Sequence, residues 1–163
     1  MLPVRKGLAA FAITTVLTSA AAAEGLVTQK NIPLAMAEVI AQAALAQCQS
    51  MGFKVSVAVV DREGLTLVLL RGDGAGMHTP EGAERKAFTA RTFSQPSADF
   101  VKRMADRPDT AGSVHYARVL ALPGGLPIKA GNEVVGAVGV SGSPGKDDVC
   151  SQAGIDKVAD QLK

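Results

Sequence analysis

The run Val55–Asp73, VSVAVVDREGLTLVLLRGD, constrains the fold more than any other part of the chain. It reads as an apolar, β-branched strand, a tight Asp61-Arg62-Glu63-Gly64 turn, and a second apolar strand that ends in charge. A second block, Gly124–Asp148 (GGLPIKAGNEVVGAVGVSGSPGKDD), has the same grammar, with strand-like VVGAVGVSG passing through a Gly/Ser/Pro turn into a helix. Between the blocks lies GAGMHTPEGAERKAFTARTFSQPS, a glycine-punctuated entry into a polar-faced helix. Together these segments describe a small α/β domain whose loops can form a ligand site. They lack the nucleophile, base and oxyanion grouping that announces an enzyme.

The element order follows from pattern and punctuation. An Ala-rich helix is predicted over Ile32–Ser50, with Asn31 as its cap, Pro33 in its first turn and Gly52 ending it. Strands follow at Lys54–Val60 and Leu65–Arg71. Thr79 is the expected N-cap of a helix that starts at Pro80 and runs to Phe93, stopped by Gln95-Pro96. A shorter helix runs from Ser97 to Ala105, and Asp109–Tyr116 reads as a loop. Val119–Leu122, Leu126–Lys129 and Val134–Val140 complete the strands, and Asp147 or Asp148 begins the last helix. This order favours an α+β domain, an antiparallel sheet with helices packed upon it, over alternating βαβ units.

Residues 1–23 read as a secretion signal: basic Arg5 and Lys6, an apolar stretch Gly7–Thr18, and small residues Ser19–Ala23 before a cleavage point. The domain then spans 24–163, and the expected location is periplasmic or secreted. The apolar stretch falls short of the roughly 18–20 residues of a spanning helix, so no stable membrane insertion is expected. Removing Arg5 and Lys6 from the 17 basic residues leaves 15, against 15 acidic residues, all beyond the cleavage point. A neutral chain without a clustered basic face is not built to bind nucleic acid. Cys48 and Cys150 are too far apart in sequence to form a metal or redox motif. In an oxidising compartment they are a plausible disulfide joining two helices; in its absence they are two small buried thiols.

His78 is the sharper of the two histidines. It stands beside Gly74, Gly76 and Met77, where a neutral imidazole can ligate haem iron and the glycines let a flat macrocycle approach. It can equally be a surface loop residue. His115, before Tyr116, offers a second imidazole with the same ambiguity, and neither histidine sits in a multidentate zinc spacing. Glu81 and Glu84 form an ExxE pair able to hold iron through hard oxygens, or simply acids that favour a helix start. Arg85 and Lys86 can reach a ligand carboxylate or propionate, or face solvent. Ser141 lacks the GxSxG context of a hydrolase nucleophile. Gly124-Gly125 is no dinucleotide fingerprint and reads as a tight turn opening onto a backbone-lined pocket.

The segments VAVVDREG, LLRGDGAG, RKAFTA, GGLPI and VVGAVGVSGSPGKDD, in this order, resemble the GlcG/HbpS haem-binding-like family, to which the PduO C-terminal domains are related. The resemblance covers nearly the whole chain after residue 23. It implies a profilin-like five-stranded antiparallel sheet flanked by helices, and homo-oligomers, commonly dimers assembled into larger rings or octamers. It also implies haem as the cofactor and carries His78 and Thr79 over as candidate ligand residues. The candidate cofactor-binding set is therefore His78, Thr79, Lys86, His115, Gly124 and Gly125, with His78 towards the iron. The leading expectation is an exported, non-catalytic haem- or tetrapyrrole-binding protein. Alternatives are a small enzyme or accessory protein acting on a small organic acid through the GGLPI pocket with Arg71 or Lys86, and an oligomeric interaction module without a cofactor.

Overall fold

The computed structural model describes residues 25–163, so the predicted secretion signal and its cleavage point lie outside the described residues. Four strands, β1 (Ser56–Asp61), β2 (Thr66–Arg71), β3 (Gly125–Ala130) and β4 (Glu133–Ser141), form one antiparallel sheet in the order β2-β1-β4-β3. Helix α1 (Leu34–Ser50) precedes them, α2 (Thr79–Phe93) and α3 (Ser97–Asp106) separate the two hairpins, and α4 (Asp147–Asp156) follows. The α+β class is as expected.

The first hairpin turns where the sequence placed the turn. Asp61 Oδ1 accepts from the backbone N–H of Glu63 at 2.9 Å and of Leu65 at 2.8 Å, and Gly64 takes the left-handed conformation that closes it. Its strand β1 then pairs with β4 in a register that sets Ser56 opposite Ser141, Val57 opposite Val140 and Ala58 opposite Gly139. Alternation divides these residues between two faces. Val57, Val59, Val138 and Val140 point to one side, into a core shared with Ile40, Ala41, Ala44 and Ile128. The spacing of buried Ala37, Ile40, Ala41, Ala44 and Cys48 is the apolar stripe of one helical face, which explains why α1 lies there. Helix α4 packs beside α1 so closely that a Cβ on Gly154 would stand 2.7 Å from the Ile40 carbonyl.

The opposite face carries small residues. Val60, Ala137, Ala87 and Ala90 form a second apolar cluster under α2. Gly139 makes that approach possible: a Cβ there would run into the Ala83 carbonyl and stand 2.6 Å from the Ala87 nitrogen.

Four boundaries differ from expectation, each for a physical reason. The fifth strand, expected at Val119–Leu122, is absent, because helix α2 takes its backbone groups. Arg85 Nη2 donates to the Val119 carbonyl at 2.8 Å, and Leu120 N–H donates to Thr89 Oγ1 at 2.8 Å. Asp109–Tyr116, expected as a loop, falls largely within a 3₁₀ helix, Pro108–His115. Asn31 does not cap α1; Pro33 holds that position, and Asn31 Oδ1 accepts instead from Ile32 and Arg62 N–H groups. Thr79 is the first residue of α2, with His78 ahead of it as the cap residue.

Cys48 and Cys150 are joined by a disulfide, with Cα atoms 5.5 Å apart and a sequence separation of 102 residues. It ties the end of α1 to the start of α4, as expected from the two cysteines. Removing it by Cys48→Ala/Cys150→Ala, or by reductant, is expected to cost about 2–5 kcal/mol in urea unfolding. Alkylation of both thiols in unreduced, denatured protein would show that the bridge does not form.

Candidate functional site

The loops at one end of the sheet enclose a cleft of about 550 Å³, to which β4 delivers its last residue, Ser141, from beside the start of β1. Its walls come from Lys54 before β1, Gly76 and His78 in the β2–α2 loop, Thr79 and Lys86 on α2, Leu122 and Pro123, Ser141 at the end of β4, Gly142, Pro144 and Gly145 in the turn after it, and Asp147 and Asp148 at the start of α4. A smaller hollow of about 190 Å³, lined by His78, Glu81, Arg85, Leu120 and others, shares His78, Leu122 and Ser141 with it. His78 thus stands at the junction of two recesses, exposed to solvent.

The loop that presents His78 is fixed from behind. Arg71 Nη2 donates to the Ala75 carbonyl at 2.6 Å, and Ala75 N–H donates back to the Gly72 carbonyl at 3.0 Å. Thr79 Oγ1 gives its single proton to the Gly76 carbonyl at 2.7 Å, so Ser56 is the donor in the 2.8 Å contact between the two hydroxyls. Thr79 therefore borders the cleft while its hydroxyl serves the loop. Gly76 lies against the imidazole: a Cβ there would meet His78 Cε1 at 2.9 Å, so a side chain would displace the ring.

Lys86 forms part of the cleft wall and is buried with its charge. Nζ donates to Asp147 Oδ2 at 2.8 Å and to the Val140 carbonyl at 3.1 Å. Asp147 Oδ1 accepts from both the N–H of Ser143, at 2.9 Å, and its hydroxyl, at 2.6 Å. Both carboxylate oxygens are thereby satisfied, the condition under which a buried ion pair is tolerated. The same network anchors the Gly142–Lys146 turn that forms the cleft rim.

The other candidates lie elsewhere. Gly124 and Gly125 sit behind the cleft, where a Cβ on Gly124 would stand 2.6 Å from the Val140 carbonyl and one on Gly125 would run into the Lys86 carbonyl. They permit close packing of β3, β4 and α2. His115 ends the 3₁₀ helix on the exposed surface and is not among the residues that line the cleft. The ExxE pair diverges: Glu81 binds Arg85 at 3.0 Å, whereas Glu84 accepts from Thr66 Oγ1 at 2.8 Å. Sequence reasoning missed Lys54, Asp147 and Asp148 as cleft residues. For the two aspartates the available signal was the Gly-Ser-Pro-Gly-Lys-Asp-Asp segment, read as a turn into a helix and not as a cleft rim.

Asp148 is half-buried at the cleft edge and accepts from Gly124 N–H at 2.8 Å. Burial raises its pKa above the usual aspartate range, with the charge of Asp147 adding to the effect, while the Gly124 N–H and Lys86 oppose it. The proton is held more tightly in the folded protein than in the unfolded chain. This group consequently favours folding below the unfolded-state pKa, and that contribution is lost as pH rises through the folded-state value. Asp148→Asn keeps an oxygen for Gly124, so it is expected to raise Tm at neutral pH. The gain should shrink as pH falls through the folded-state pKa of Asp148, and a constant gain across that range would contradict the assignment.

Comparison with known proteins agrees with this architecture. HbpS from Streptomyces reticuli, solved as a double mutant, is 39% identical, with a TM-score of 0.76 over 85% of this chain and 96% of that one. The ORFY protein of Klebsiella pneumoniae is 27% identical, with a TM-score of 0.77 over 84% of this chain and 97% of its own. The PduOC domain, solved as a haem complex, shares the fold at 23% identity, with a TM-score of 0.70 over 78% of this chain and 94% of that one. An uncharacterised 15.0 kDa protein from the dhaT-dhaS intergenic region of Citrobacter freundii is 32% identical over 120 residues, which cover 72% of this chain and 84% of the relative. Residues 32–156 match the family profile described as haem degrading protein HbpS-like, and the chain belongs to that HbpS-like family.

Proposed function

We propose that this chain is an exported haem- or tetrapyrrole-binding protein that acts by holding its ligand in the cleft rather than by transforming it. The observation that carries the reading is the placement of His78, an exposed imidazole at the junction of two recesses, on a loop fixed by Arg71 and Thr79. The residues present fit such a ligand. Gly76, Gly142 and Gly145 give walls without bulk, Leu122, Pro123 and Pro144 give apolar surface, and the volume lies in the range of about 300–1,000 Å³ usual for small-molecule sites. The imidazole of His78 would hold the iron of a bound haem. Ser141, which also lines both recesses, would offer the ligand a hydroxyl there.

Membership of a family described in terms of haem supports the ligand class. The small-acid alternative is less favoured because its two named cations are engaged: Arg71 holds the Ala75 carbonyl and Lys86 holds Asp147. Titration with haemin is expected to give a saturable Soret shift, weakened about tenfold or more by His78→Ala. Absence of a shift under both oxidising and reducing conditions would reject haem binding. Bleaching of the Soret band when reductant and oxygen are supplied would instead show degradation and overturn the non-catalytic reading.

A homo-oligomer belongs to the same proposal. Strand β2 is an edge of the sheet, and beside it a groove of about 650 Å³ runs along α1, walled by Val39, Val68 and Leu70. An open edge next to apolar surface suits pairing with a second copy. Light scattering across protein concentrations is expected to give a mass above that of one chain. A constant monomer mass would defeat this part of the proposal.

A further inference from the structure

The cleft contains two lysines in different electrostatic situations. Lys86 is neutralised by Asp147 and further engaged by the Val140 carbonyl. Lys54 has no carboxylate partner and no side-chain hydrogen bond among the described residues, although it lines the same cleft. The side chain lies across Gly74, where a Cβ would stand 2.9 Å from Lys54 Cδ and 3.1 Å from Nζ. Gly74 also has φ +76°, so its backbone favours glycine independently of that contact. On the other rim, a Cβ on Gly142 would stand 2.7 Å from the Lys54 carbonyl. Gly74 therefore leaves room for the Lys54 side chain, and Gly142 for its backbone, at the cleft mouth.

We infer that Lys54 is the carboxylate-recognising residue of the cleft and that the ligand carries an acidic group beside Gly74, with its apolar body against Leu122, Pro123 and Pro144. The inference rests on the tetrapyrrole reading for the ligand's body, but not on iron ligation by His78. Chemistry points the same way from three sides. An ammonium without a partner gains a charge-assisted hydrogen bond from an incoming carboxylate. The Lys86–Asp147 pair is neutral as a unit and offers no competing attraction. Asp148, the remaining charged side chain on the cleft wall, repels an acid and so directs it towards Lys54.

The test uses iron-free probes, so that ligand acidity is read apart from iron chemistry. Fluorescence titration of the full, disulfide-intact protein compares protoporphyrin IX with its dimethyl ester, for the parent chain and for Lys54→Gln and Lys54→Arg. The parent chain is expected to prefer the diacid by about threefold to tenfold, in keeping with one partly exposed charged contact. Lys54→Gln should abolish that preference, and Lys54→Arg should retain most of it. Equal affinity for acid and ester in the parent chain would overturn the inference, as would a preference that survives Lys54→Gln or a diacid that does not bind. A separate haemin titration keeps the two readings distinguishable. Porphyrin discrimination that depends on Lys54, with no haemin Soret shift, supports this inference while rejecting iron ligation by His78. A Soret shift without Lys54-dependent discrimination does the reverse.

Discussion

The structure depends on the contact between α2 and the sheet, which is made backbone to backbone. Gly139 carries no side chain, and Ala83 and Ala87 meet it with the smallest chiral residue available. Because the helix lies so close, residues at its start and on its buried side reach the ends of β1 and β4. Ser56, Thr79, Lys86 and Ser141 are drawn to one place by this contact rather than by attraction among themselves. Packing at this density tolerates little added volume. The position of the cleft is therefore a consequence of small residues on a face remote from solvent.

The second organising interaction is polar. Lys86, Asp147 and Ser143 form a chain of contacts from α2 through α4 to the rim turn, buried along its whole length. An ion pair removed from water is a weak source of stability unless its remaining hydrogen-bonding capacity is filled, and here both carboxylate oxygens are used. Ser143 also approaches the bridged Cys48 sulfur at 3.1 Å, so the rim of the cleft touches the disulfide that joins α1 to α4. The two faces of the sheet meet at this serine: the apolar core ends on one side of it and the polar network begins on the other.

Much of this architecture was legible in the sequence because it rests on local rules. The Asp61–Gly64 turn, the stop at Gln95-Pro96 and the apolar stripe of α1 each announce themselves through residues close in the chain. Val119–Leu122 was misread because its β-branched and apolar composition signals a strand, whereas its partners, Arg85 and Thr89, lie about 30 residues away on a helix. The site divides in the same manner. His78 and Lys86 were visible as chemistry in promising company, and the structure places both on the cleft. Gly124 and Gly125 were read as a tight turn opening onto a pocket, whereas their lack of a side chain serves packing behind the cleft. Lys54 was passed over because nothing beside it in sequence distinguishes it; its setting is created by Gly74 and Gly142, brought to it from elsewhere in the chain.

The side chains that face the cleft mouth, among them Lys54 and His78, are exposed and stand on loops, whereas Thr79 and the Lys86–Asp147–Ser143 network behind them are buried. Exposed positions of this kind usually tolerate replacement within about 0.5 kcal/mol. The scaffold therefore separates what must be kept from what is free to drift. A lineage using this fold can exchange the residues that meet a ligand one at a time, without passing through an unfolded intermediate. Variants of this chain can then diverge in what they hold while its glycines and its buried lysine–aspartate pair stay in place, so likeness of fold will outlast likeness of ligand.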